Sequence, residues 1–160
     1  MVPSRETLVT FEPRDRDYQA RVRASFERRE AMKTLGVLIL SLQPGEIELE
    51  MAHSNAFTQQ HGFIHAGFIA AALDSACGYA AFSLMPGEAE VLTVEFKINP
   101  LTPARGERFV FRGRVVRPGR TINVCDGQAF GVVGDRRTLV ATMNGTLMAL
   151  FDRPGVARSP

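Results

Sequence analysis

In the stretch QQHGFIHAGFIAAALDSACGYAAF, residues 59–82, a single charge interrupts the apolar run from Ala66 to Phe82, and that charge is Asp74. A helix that is apolar all round is normally buried. A lone carboxylate in such a helix costs several kcal/mol unless something compensates it. Asp74 therefore either caps a backbone group, pairs with a buried arginine, or works as a general base or nucleophile. The residues just before the apolar run supply the complementary half of such chemistry. A helix starting at the turn His65-Ala66-Gly67 presents unpaired N–H groups and a partial positive charge at its N-terminus, and Gly67 lets a ligand approach the backbone closely. A carbonyl oxygen that becomes negative in a reaction is stabilised by such donors. The Gln59 amide can add another donor or orient a water.

Other groups in the same stretch have plainer readings. His61 and His65 are four apart, but Gly62 lies between them and the glutamate of a zinc-protease helix is missing, so no metal is expected. Cys77, one turn after Asp74, reads as a buried inert thiol. Gln60 and Ser75 read as lining or helix surface.

The elements that must position these groups follow from periodicity. Residues 1–13 carry prolines and no pattern, and read as an extended lead-in. From Asp17 to Gly36 a helical pattern places Tyr18, Val22, Phe26 and Met32 on one side. Val37 to Leu42, the turn at Pro44-Gly45, and the alternation of Ile47, Leu49 and Met51 with Glu46, Glu48 and Glu50 predict a hairpin. The central helix closes near Pro86-Gly87. Four strands with short turns then follow, at 92–98, 107–117, 121–130 and 139–150, and residues 151–160 form a tail. Consecutive strands predict an antiparallel meander whose apolar face the central helix covers. The expected organisation is a single domain over 1–160, with an N-terminal extension and helix (1–34), a core (35–150) and the tail.

The totals exclude several classes. A net charge of +2 over 160 residues gives no nucleic-acid signal. The charged N-terminus lacks the apolar segment of a secretory signal, and no run approaches the roughly 18 apolar residues of a membrane span. Two cysteines without metal-like spacing read as reduced thiols of a cytoplasmic protein.

This central stretch in this setting resembles the hotdog fold, specifically the acyl-CoA thioesterases similar to phenylacetyl-CoA thioesterase (PaaI-type). Members carry Asn-x-x-Gly-x-x-His-Gly-Gly and an Asp nine residues after the His. Gly62, His65, Gly67 and Asp74 stand at those offsets, while Gln59 replaces the Asn and Ala66 the first Gly. Thr93, two residues before Glu95, matches the family's next strand. The resemblance covers residues 35–150 and implies an α+β fold, a curved sheet of about six antiparallel strands wrapped around one long helix. It further implies hydrolysis of a small, medium-chain or aromatic acyl-CoA. In that reaction Asp74 activates water or attacks directly, Thr93 supports it, and Gln59, His65, Ala66 and Gly67 form the carbonyl-polarising turn. Gly62, Phe63, Arg117 and Arg120 are the expected substrate-binding residues, the two arginines toward the CoA phosphates. Phe26, Met32 and Phe57 are further candidates for the acyl pocket. No cofactor is expected beyond coenzyme A as part of the substrate. The implied assembly is a homodimer or dimer of dimers with sites at the subunit interface. Two other readings stay open: a non-catalytic acyl-CoA-binding module, and a hotdog dehydratase, whose usual His–acid pattern is missing here.

Overall fold

The computed structural model describes residues 10–152. The expected lead-in up to residue 9 and the expected tail from residue 153 lie outside these residues. The elements are α1 (Tyr18–Glu27), α2 (Glu30–Leu35), β1 (Val37–Gln43), β2 (Glu46–Ala52), a 3₁₀ turn at Asn55–Phe57, α3 (Ala66–Phe82), β3 (Glu90–Pro100), β4 (Arg108–Arg117), β5 (Ile122–Val133) and β6 (Arg136–Leu150).

One N-terminal helix was expected; two are present. The chain breaks at Arg28-Arg29, where Arg29 adopts an extended conformation (φ −81°, ψ 99°) and opens α2. The break brings the Arg29 guanidinium to α3, where Nη1 donates to Ser75 Oγ at 3.0 Å and the group stacks on the Tyr79 ring at 5.1 Å. Ser75 is thus a buried anchor rather than lining or helix surface. Gly36 ends α2 at φ +66°, the left-handed terminus that glycine adopts without strain.

The six strands form one antiparallel sheet in the order β1-β2-β4-β5-β6-β3. The alternation expected in β2 sends Ile47, Leu49 and Met51 into the core with no exposure. The meander expectation needs one correction. β3 pairs with β6 rather than β4, so residues 101–107 carry the chain back across the sheet, and β3 becomes an edge. The apolar residues Leu92, Val94 and Phe96 on that edge are 48%, 53% and 42% exposed.

α3 lies across the sheet, and two glycines let it come close. A methyl group at Gly113 would sit 2.3 Å from the carbonyl of Ala76, and one at Gly127 would press on the Cys77 sulfur and Leu73. A six-stranded antiparallel sheet curled round one long helix, with the core between them, is the hotdog arrangement.

Candidate active site

The start of α3 is organised by its own first residue. His65 is the N-cap, and its Nδ1 accepts a hydrogen bond from the Gly67 N–H at 2.9 Å. The N–H groups of Phe68 and Ile69 turn back to the His65 carbonyl. The Ala66 N–H is left with no partner among the described residues, and Ala66 is exposed. The turn therefore offers one open backbone donor, at Ala66, because the Gly67 donor is already committed. His65 fixes the loop as an acceptor, with the ring proton left for Nε2.

The preceding loop folds onto itself. The Gln59 N–H donates to the Phe63 carbonyl at 2.8 Å, and the Gly62 N–H to the Gln59 carbonyl at 3.0 Å. Gly62 sits at φ +82°, the left-handed region that favours glycine. The His61 N–H donates to Gln59 Oε1, which leaves the Gln59 Nε2 group as the free donor of that side chain.

These residues open onto a cavity of about 610 Å³. Gln59, Gln60, His65 and Ala66 form one side, and Ile64, Ile69, Ile98, Val140 and the segment Pro100–Ala104 form the rest. Phe63 is also in the wall. Phe57 packs on Phe68 nearby at 5.0 Å between ring centroids. Phe26 and Met32, expected near the acyl pocket, instead belong to the buried core beneath α1 and α2. The segment 100–104 carries no signal of a cavity wall in the sequence, where it is only the gap between the strands expected at 92–98 and 107–117.

Asp74 is half-buried and accepts a hydrogen bond from Thr93 Oγ1 at 2.7 Å. Its Oδ2 has no partner among the described residues. The Thr93 hydroxyl reaches it from β3, the edge strand, beside a register shift between Thr93 and Glu95. Asp74 and Thr93 do not line the cavity. Eight residues separate Ala66 from Asp74 on one helix, about 12 Å at 1.5 Å per residue. A reacting carbonyl must lie about 3 Å from both its donors and its attacker. Within one chain the Ala66 N–H thus opens onto the cavity, and the Asp74 carboxylate is not part of its lining.

Cys77 and Cys125 are buried and unbridged. Burial and the nearby carboxylates push the Cys77 thiol up to about 12, and burial drives Cys125 higher still. Neither can supply a thiolate near neutrality. Among the described residues no three His, Cys, Asp or Glu side chains gather as a metal site. Arg117 is exposed, and Arg120 lines a recess of about 170 Å³ with Arg14, Leu84 and Asn123. That recess is at the far end of α3, roughly 25 Å of helix from His65.

The six-stranded antiparallel sheet curled round α3 defines a hotdog protein. Comparison with known proteins narrows this. The thioesterase superfamily profile matches residues 61–134, the span from the His-Gly turn through β5. A thioesterase family protein from Silicibacter pomeroyi is 56% identical, with 84% of this chain and 98% of that one covered and a TM-score of 0.83. A Saccharolobus solfataricus protein that carries the provisional name esterase is 34% identical over 94 residues, 59% of this chain, and the chain spans 66% of that protein's length, just under two thirds. The PaaI protein of E. coli, from its phenylacetic acid degradation operon, shares the fold at 21% identity, TM-score 0.75, covering 84% of this chain and 94% of that one. The chain belongs to the thioesterase superfamily, a family of thioester hydrolases.

Proposed function

We propose that this protein hydrolyses acyl-CoA thioesters at a site built from two copies of the chain. The Ala66 N–H and Gln59 Nε2 of one copy polarise the thioester carbonyl, and Asp74, steadied by Thr93, acts from the other. The observation that carries this reading is the separation of the two halves. The free donor opens onto an apolar cavity, while the acid is not in that cavity's lining and lies about 12 Å along the same helix, bonded to Thr93. The exposed apolar edge of β3, on which Thr93 lies, supports a second copy as the covering partner.

In the reaction, water adds to the carbonyl carbon as Asp74 takes its proton, and the carbonyl oxygen becomes negative against the Ala66 N–H. Collapse breaks the C–S bond, and the proton ends on the CoA sulfur, leaving free acid and thiol. Direct attack by Asp74 gives a mixed anhydride that water then opens, with the same products. A wall of aliphatic side chains suits a medium-chain or aromatic acyl group. Two unbridged thiols suit a reducing compartment, and cytoplasmic residence is part of the reading. Among the described residues no helix is long and apolar enough to cross a membrane.

The test is thiol release from short, long and aromatic acyl-CoAs with wild type and Asp74→Asn. Loss by a factor of about 10² or more in a folded variant supports the role of Asp74. No hydrolysis of any thioester by wild type would instead make the protein an acyl-CoA-binding module. Mixing tests the shared site. Asp74→Asn and Ala66→Pro are each inactive alone, but a mixed dimer holds one complete site. Random re-association then restores about a quarter of wild-type activity for a two-fold dimer, and no recovery would place both groups within one subunit.

A further inference from the structure

The cavity at the start of α3 is lined without a single Asp, Glu, Lys or Arg. Its polar groups are Gln59, Gln60, His65, Thr102 and backbone. A polyphosphate cannot be drawn into such a chamber without a severe desolvation cost. If the ligand is an acyl-CoA, its acyl end and arm can enter, but its phosphates must stay at the rim. The cation that the structure sets against this lining is Arg105, whose guanidinium lies over the Phe63 ring at 4.6 Å from the centroid.

Arg105 has the features of a prepared anion anchor. Among the described residues it forms no ion pair and donates no side-chain hydrogen bond, unlike Arg21, Arg108, Arg112, Arg114 and Arg137, which each have a carboxylate. Arg117 and Arg120 are likewise without a carboxylate among the described residues, but of these three only Arg105 stacks on a ring of the cavity wall. The nearby acid in sequence, Glu107, is turned toward the β5–β6 turn, where it accepts from the Gly134 N–H at 3.3 Å. Stacking on an aromatic face holds the guanidinium plane but leaves its in-plane N–H fork free, the geometry that suits a phosphate.

The backbone under Arg105 is fixed as well. Its carbonyl packs so closely on Gly131 that a methyl group there would lie 2.0 Å away, and Gly106 presses on Arg108 and Val132 in the same manner. The Ala104 carbonyl accepts from the Ile64 N–H, and the Glu107 N–H donates to the Val132 carbonyl at 2.8 Å. The loop carrying Arg105 is thereby tied both to the His-Gly turn and to the sheet.

We propose that Arg105, stacked on Phe63 at the rim of the cavity, anchors the phosphate groups of the CoA moiety. This rests on the acyl-CoA reading and assigns the phosphates to a residue other than Arg117 and Arg120, which lie at or near the far end of α3 in the same chain. Because the phosphates are distant from the reacting bond, their contact with Arg105 is equal in ground and transition states, and it governs KM rather than kcat.

The experiment compares acyl-CoA with the same acyl group on pantetheine, which has no phosphate, using wild type, Arg105→Ala, Arg105→Lys and Arg120→Ala. The expected result is a KM for acyl-CoA raised about tenfold by Arg105→Ala with kcat retained, partial rescue by Arg105→Lys, and no change with the pantetheine thioester. The wild-type KM for acyl-CoA also rises with ionic strength, and the Arg105→Ala value does so less. Equal effects on both substrates, or the loss appearing in Arg120→Ala instead, overturns the assignment. Calorimetric binding of CoA and of pantetheine separates this from failure of the hydrolase reading. If no thioester is cleaved, CoA binding weakened about tenfold by Arg105→Ala with pantetheine unaffected still supports the anchor, and identical CoA binding by both proteins refutes it.

Discussion

The two ends of α3 differ in what they do with their backbone. At the start, His65, Ala66 and Gly67 are all exposed, the Gly67 N–H is satisfied by the His65 side chain, and the Ala66 N–H before it is left open. At the far end every residue from Ser75 to Met85 is buried. There Arg21 Nη2 donates to the carbonyls of Phe82 and Met85 at 3.1 and 2.7 Å, its ring-stacked guanidinium covers Phe82, and Asp15 holds its Nε at 2.7 Å. Ser83 Oγ closes onto the Ala80 carbonyl and receives the Gly45 N–H. Helix ends always leave unpaired groups. Here the carbonyl end is satisfied inside the protein while the amide end keeps one open, exposed N–H, and the proposed function places stability and chemistry at opposite ends of one element.

Substitutions at each end test that division. The largest expected effect is on turnover from Ala66→Pro. Proline is accommodated at the first helical position, and His65 already has the extended conformation (φ −61°, ψ 136°) that precedes it. Only the open N–H is lost, so kcat falls by about 10²-fold or more while the melting temperature stays near wild type; retained turnover breaks the comparison. Next comes Gly113→Ala, which wedges a methyl group against the Ala76 backbone and costs about 3 kcal/mol in chemical denaturation.

Arg21→Ala strips the closed end of its cap and is expected to cost about 2 kcal/mol, with kcat per folded molecule unchanged. A comparable loss of kcat would show that the two ends are not separable. His65→Ala removes the side-chain cap and costs about 1 kcal/mol, most of it recovered by His65→Asn, whose oxygen can accept the same N–H.

The smallest effect concerns the thiols. Cys77, raised from 9.0 to about 12 by burial and by the nearby Asp74 and Asp126 carboxylates, stays neutral in the folded chain. The stabilisation this represents is complete below the unfolded value and fades as pH climbs from about 9 toward 12. Neither cysteine should react with an aromatic disulfide reagent at pH 8 until the protein unfolds.

Much of this was legible in the sequence, wherever local pattern sufficed. The alternation of β2, the length of α3, the helix stop at Gly36 and the isolated charge of Asp74 are properties of neighbouring residues. Long-range placement was not legible. Nothing between Asp17 and Gly36 marks the break at Arg29, whose guanidinium meets Ser75, 46 positions away, only in the folded chain. The strand at 92–98 was visible, but its position at the sheet edge depends on pairing with β6. The turn at His65 was recognised, yet only the geometry shows that the Gly67 N–H is already used. Arg105 carries no motif, and its placement comes from contacts with Phe63 and Gly131.

The wall segment Pro100–Ala104 belongs to the connection that carries the chain from the edge strand back to the sheet's interior, and it contains neither Asp74 nor Ala66. Its path is held by the Ala104 carbonyl on the Ile64 N–H and by Arg105 against Gly131, whereas Leu101 and Thr102 are exposed side chains on the cavity wall. Under the proposed function, descent can therefore alter the acyl group through substitutions at those wall positions while the length of the connection stays fixed.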